Sequence, residues 1–184
     1  MTGITQKCSW TKGLFGRVRS TVLAVMTAML ISVAVDRAYA AGDHACDYLG
    51  KDEVAAVMGA GVGEIERQPA NPMGQSVCFF DIPAGMQMRF AQLQMVRSAW
   101  ATRAGTKWDA RSLFENNMSF LSDLQEISGV GNKAYWGGSG LKMGAGLHVL
   151  NGVTCFTIHA ATGDQQGDLH KAKELAALVL ARIE

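Results

Sequence analysis

The sequence predicts an α+β domain: an antiparallel sheet of about six strands flanked by helices, in the order α-β-β-β-α-β-β-β-α. Three observations lead there. Apolar residues recur at helical spacing just after residue 50, near residue 115 and again near residue 175. Between these stretches lie short runs rich in β-branched and aromatic residues. Turn signals separate many of the runs by only a few residues, and strands joined by tight turns are antiparallel. Helices packed on such a sheet make an α+β domain.

The elements follow in order. Residues Lys51 to Met58 place Val54, Val57 and Met58 at i, i+3 and i+4, and Gly59 stops the helix. The run GVGEIERQ reads as a weak strand, and PANPMGQ as loop. SVCFFDI is a strand, turned by Pro83 to Gly85 into a second one, Met86 to Val96. The middle helix is expected over Lys107 to Leu124, with Trp108, Leu113, Phe114, Met118, Leu121 and Leu124 on one stripe. KAYWGG is a short strand. LKMGAGLHVL and VTCFTIHA flank Asn151-Gly152, a strong hairpin signal, and a two-residue loop there sets His148 opposite Cys155. The last helix runs from Asp164 to Ile183, with Thr162 as its expected cap and Gln165 three residues on. Its stripe is Leu169, Ala172, Leu175, Ala176, Val179 and Ile183.

Residues 1–40 have the order of a secretory signal peptide. Lys7, Lys12, Arg17 and Arg19 precede an uncharged run of 15 residues, Thr21 to Val35, and Ala38-Tyr39-Ala40 gives the small-x-small cleavage pattern. The run is shorter than the ~20 residues of a spanning helix. Asp36-Arg37 beside the cleavage region leaves an uncleaved anchor as the alternative. Cleavage after Ala40 leaves residues 41–184 as a single domain of ordinary size. It removes five of 17 basic and one of 16 acidic residues, so a net charge of +1 becomes −3. No basic stripe follows, which argues against a nucleic-acid partner, and no later apolar run could span a membrane. Cys46 follows Asp43-His44-Ala45 rather than the apolar run, which excludes it as a lipid-attachment cysteine.

The exported part holds Cys46, Cys78 and Cys155, an odd number for an oxidising compartment. Three pairings are possible. Cys155 lies in mid-strand, where a small thiol packs well. A Cys46–Cys78 bridge would pin the first helix to a strand, and it is the pairing expected here.

Sites of chemistry are few. Met86 and Met88 share one face of a strand, a spacing at which soft thioethers hold copper(I). Cleavage one residue later, after Ala41, would begin the chain Gly42-Asp43-His44, a copper(II)-type terminus. A His148–Cys155 pair lacks an orienting group and an oxyanion donor. Trp100, Trp108, Tyr135 and Trp136 are candidate lining for a ligand groove between sheet and helix. No cofactor motif occurs: the glycine cluster Gly59 to Gly63 follows a helix, whereas a phosphate loop precedes one.

Four segments resemble small secreted bacterial domains of unknown function, many of them actinobacterial lipoproteins. They are ACDYLGKDEVAAVMG, VCFFD, SGVGNKAYWGG and the closing AKELAALVLARIE. Some relatives are similar in fold to the PsbP-like group. The resemblance implies a bridge between the matching cysteines, Cys46 and Cys78, and implies no catalytic residues. The chain departs from many members by lacking the lipid-attachment cysteine and by adding Cys155.

The expected function is that of an exported, periplasmic or secreted, non-enzymatic domain. Its partner would be a small ligand, a peptide or an envelope protein. The alternative is a copper- or redox-handling protein using Met86/Met88 or Cys155. Mass spectrometry of protein exported from a bacterial host is expected to find Ala41 at the N-terminus; an intact Met1 would contradict the signal peptide.

Overall fold

The computed structural model describes residues 42–83, 85, 89–138 and 144–183. Residues 1–40, where a signal peptide is expected, and the Met86/Met88 pair lie outside the described residues. A 3-10 turn at Ala45–Asp47 leads into α1, Lys51–Met58. Three strands follow: β1, Ile65–Gln68; β2, Ser76–Ile82; and β3, Arg89–Arg97. Two short helices come next, α2, Ser98–Arg103, and α3, Ala110–Met118. Four strands then run β4, Ser122–Glu126; β5, Lys133–Gly138; β6, Gly146–Asn151; and β7, Thr154–Ala161, before α4, Gln165–Ile183. The seven strands form one sheet in the order β1-β2-β3-β7-β6-β5-β4, and every neighbouring pair is antiparallel. The α+β architecture expected from the sequence is the one observed.

Side chains alternate between the two faces of the sheet. On the first face, Cys78, Leu93, Ile158 and Leu147 form a row across β2, β3, β7 and β6, and all four are inaccessible to solvent. Helix α4 lays Ala172, Leu175, Ala176 and Val179 into this core, and α1 adds Val54 and Met58. Burying Leu175 alone stabilises the fold by ~1.5–3 kcal/mol. Arg182, near the end of α4, pairs with Glu53 of α1 at 2.5 Å and donates to the Tyr48 carbonyl at 3.1 Å.

Among the described residues, helices lie over the second face at one end. There Val96, Cys155 and Leu150 line up across β3, β7 and β6. Ala101, Ala110, Leu113 and Phe114 of α2 and α3 pack over them.

The segment ahead of α1 is laced to the first two strands. Cys46 is bridged to Cys78, the pairing expected. The Ala45 amide donates to the Ser76 hydroxyl at 2.8 Å, and Asp47 pairs with Arg67 at 2.8 Å. His44 donates from Nε2 to the Gln68 carbonyl at 2.6 Å, and its Nδ1 accepts from the Cys46 amide at 3.1 Å.

Several elements differ from the sequence reading, each for a local reason. The middle helix covers Ala110–Met118 rather than Lys107 to Leu124. Asp109 caps it, accepting from the Ser112 amide at 2.8 Å while its own amide donates to the Ser112 hydroxyl at 3.0 Å. The helix closes through the Ser119 hydroxyl on the Asn116 carbonyl, 2.6 Å, and a turn in which Leu121 N–H reaches Met118. Asn, Ser and Asp compete for backbone groups in this way and end helices. Residues 122–126 therefore pair with β5 as β4, one strand more than the six expected, with a bulge between Ser122 and Gln125 where Asp123 has φ +54°.

The β6–β7 hairpin turns on Gly152-Val153, not Asn151-Gly152. Asn151 pairs with Thr154, and Gly152 takes φ +56°, the position glycine holds in a II′ turn. His148 consequently lies opposite Thr157, two residues along β7 from Cys155. Thr162 does not cap α4: its hydroxyl donates to Asp168 at 2.6 Å, and the Asp164 carboxylate instead accepts from the Gly167 amide at 2.9 Å.

The bridge closes a span of 32 residues, worth ~3–4 kcal/mol by loop-closure entropy. Denatured without reductant, protein comprising residues 41–184 is expected to show one titratable thiol, that of Cys155. The Cys46→Ala/Cys78→Ala double variant is expected to lose about that stability in urea unfolding; three titratable thiols in the denatured, unreduced protein would contradict the bridge.

Candidate functional site

Helix α3 leaves a cleft between its outer side and the sheet's β5–β4 end. Phe114, Glu115 and Met118 come from the helix, Leu124 from β4, and Lys133 and Tyr135 from β5. Its volume is about 300 Å³, at the lower end of the ~300–1,000 Å³ range of small-molecule sites. The Phe114 and Tyr135 rings stack along one wall, centroids 6.2 Å apart and planes 29° from parallel. Glu115 and Lys133 are exposed, and neither forms an ion pair among the described residues. The cleft thus combines an apolar aromatic wall with one unpaired charge of each sign.

A wider recess of about 560 Å³ lies by Asn71, Gly74, Trp100 and Arg103. Its charges are already matched. Arg103 grips Asp43 through two hydrogen bonds, 2.7 and 3.2 Å, and holds that carboxyl below its usual range. The α3 cleft is therefore the stronger candidate.

The four aromatics expected to line one groove are dispersed. Tyr135 lines the α3 cleft. Trp136, its neighbour on β5, faces the other side of the sheet and packs against the main core. Trp100 is buried in α2 and meets Tyr48 edge-on at 6.1 Å. Trp108 precedes α3 and is 37% exposed, with the Lys107 ammonium 6.0 Å from its ring. Nothing in the sequence marks the cleft's other residues as ligand-binding. Phe114, Met118 and Leu124 read as core stripe, and nothing in the spacing brings Lys133 beside them. The Asn116-Asn117 and Ser119 to Asp123 breaker run is the signal that could have detached Leu124 from the helix.

Cys155 is closed off beneath α3. The adjoining void, bordered by Gln94, Asn117 and Thr157, measures about 20 Å³, enough for one water. Burial pushes the thiol pKa up to about 12, with Asp109 adding to the rise, so it stays protonated at neutral pH. Among the described residues, no group of three His, Cys, Asp or Glu side chains is placed to hold a metal ion. No helix among them is long and apolar enough to cross a membrane.

Beyond Cys155 on the same face sit two histidines. His148 is tied at both nitrogens. Nε2 lies 3.2 Å from the Gly137 carbonyl, which only accepts, so Nε2 carries the proton; Nδ1 accepts from the Thr157 hydroxyl at 3.0 Å. His159 stands edge-on to it, centroids 6.4 Å apart. Its ring covers Gly146, where a Cβ would come within 2.7 Å of Cε1. Any larger residue at 146 would have to displace that ring.

No family model, curated protein or solved structure matches the chain.

Burial lowers the pKa of both imidazoles, that of His148 to about 4. In the unfolded chain each titrates near 6.5. Between those values the unfolded state binds more protons, so stability falls as pH drops from 6.5 towards 4, by ~3 kcal/mol for His148 at the low end. Urea midpoints measured from pH 7 to 5, above the range of most carboxylates, are expected to fall with pH, and His148→Gln should flatten the slope. A level wild-type profile would contradict neutral, buried histidines.

Proposed function

We propose that the chain is an exported, non-enzymatic domain that holds a small ligand in the cleft beside α3. The observation that carries this reading is the cleft itself: a concave site with a stacked Phe114–Tyr135 wall and two charges left for a ligand. Such sites pair an apolar lining with a few polar groups that set orientation. The side chains best suited to catalysis are committed elsewhere. His148 is bonded at both nitrogens, and Cys155 is buried and protonated. The same state of Cys155 weighs against a redox role.

Export is supported by the basic, apolar and small-residue order of residues 1–40 and by the Cys46–Cys78 bridge, since disulfides persist in oxidising compartments. The resemblance to small secreted bacterial domains with a PsbP-like fold fits an exported sheet flanked by helices, and it stands as part of the proposal.

Native mass spectrometry of protein recovered from its own envelope is expected to show an adduct of small-molecule mass. Met118→Trp, which fills the cleft, should remove the adduct while circular dichroism stays unchanged. An adduct that persists in the folded variant, or a wild-type protein that carries none, would contradict the reading.

A further inference from the structure

We infer that the α3 cleft selects a free α-amino acid with an apolar, preferably aromatic, side chain; this rests on the ligand-site reading above. The apolar wall alone would accept any small hydrophobic molecule. The two charges narrow the class. Lys133 at the start of β5 attracts a carboxylate, and Glu115 on the exposed side of α3 attracts an ammonium. A simple organic acid would satisfy Lys133 and meet repulsion from Glu115, and a simple amine would do the reverse. A zwitterion whose two charges sit on one carbon answers both. Its side chain then lies against Phe114, Tyr135, Met118 and Leu124, where an aromatic ring finds stacking partners and a thioether.

The volume agrees with this class. At about 300 Å³, the cleft suits a single amino acid better than an extended peptide. Backbone geometry supports the placement of the charges. Lys133 pairs with Leu150, and Tyr135 with His148, so both β5 residues face the side of the sheet that α3 covers. Glu115 follows Phe114 directly and precedes Met118 by three residues, which sets it beside Met118 along the helix.

The experiment is an NMR titration of the purified protein, disulfide intact, with four probes. L-Phenylalanine carries both charges, N-acetyl-L-phenylalanine only the carboxylate, L-phenylalanine amide only the ammonium, and benzyl alcohol neither. L-Phenylalanine is expected to shift amides of residues 113–118, 124 and 133–135. Each exposed charge pair is worth up to ~1 kcal/mol, so each singly charged probe should bind about threefold to fivefold more weakly. Lys133→Gln should weaken L-phenylalanine by the same factor while the amide probe, freed of the lysine's repulsion, binds no more weakly than before. Glu115→Gln should weaken L-phenylalanine likewise, while the N-acetyl probe, no longer repelled by Glu115, binds no more weakly than before. If benzyl alcohol and the singly charged probes bind as tightly as L-phenylalanine, or if neither variant changes its affinity, the amino-acid assignment is overturned and the ligand site stands. If no probe shifts these amides at millimolar concentration, the assignment falls; whether the site itself falls is then read from the native adduct and its loss in Met118→Trp.

Discussion

Eight residue pairs between β3 and β7, from Phe90 with Ala161 to Arg97 with Thr154, make one sheet out of two. Without them the chain would hold two separate meanders, β1-β2-β3 and β4-β5-β6-β7. This pairing joins residues more than fifty positions apart, so its loop entropy must be overcome before it contributes. Both layers of helices depend on it. Leu93 beside Ile158 makes the floor on which α4 rests, and Val96 beside Cys155 makes the floor under α3. The cleft beside α3 exists because that second floor is narrow, and two helices of six and nine residues cannot roof the whole face.

The disulfide extends the same frame toward the N-terminus. Cys78 belongs to the row that runs through Leu93, Ile158 and Leu147, so Cys46 is fastened to the most buried line of the sheet. The polar links around it hold the same segment from the outer side: Ala45 on Ser76, Asp47 on Arg67, His44 on Gln68. Arg182 then ties α4 back to α1 and to Tyr48. Residues near both limits of the described chain are thereby held against one core.

Much of this was legible in the sequence where a single element buries one regular face. Helix Lys51–Met58 agrees residue for residue, and the α4 stripe of Ala172, Leu175, Ala176 and Val179 is the one that packs. Legibility failed where local bonding outweighed apolar spacing. Leu121 and Leu124 continue the α3 stripe on paper, but Asn116, Asn117 and Ser119 offer the backbone a better ending, and Leu124 enters β4. It failed again where one turn residue sets a whole register, as Gly152 does for His148 and Thr157. The candidate site was the least legible part. Tyr135 stands among the candidate groove-lining aromatics of the sequence, but its partner Phe114 and the flanking Glu115 and Lys133 meet it only through the fold.

The open sheet has two outer strands, and each is poor material for polymerisation. β4 carries a bulge at Asp123, whose left-handed backbone interrupts any straight row of donors and acceptors. β1 is four residues long, bears Glu66 and Arg67, and has its Gln68 carbonyl already occupied by His44. A neighbouring copy approaching either rim finds a kinked or charged margin in place of a template. Both rims of the sheet thus offer a second copy few straight, unoccupied backbone groups on which to extend.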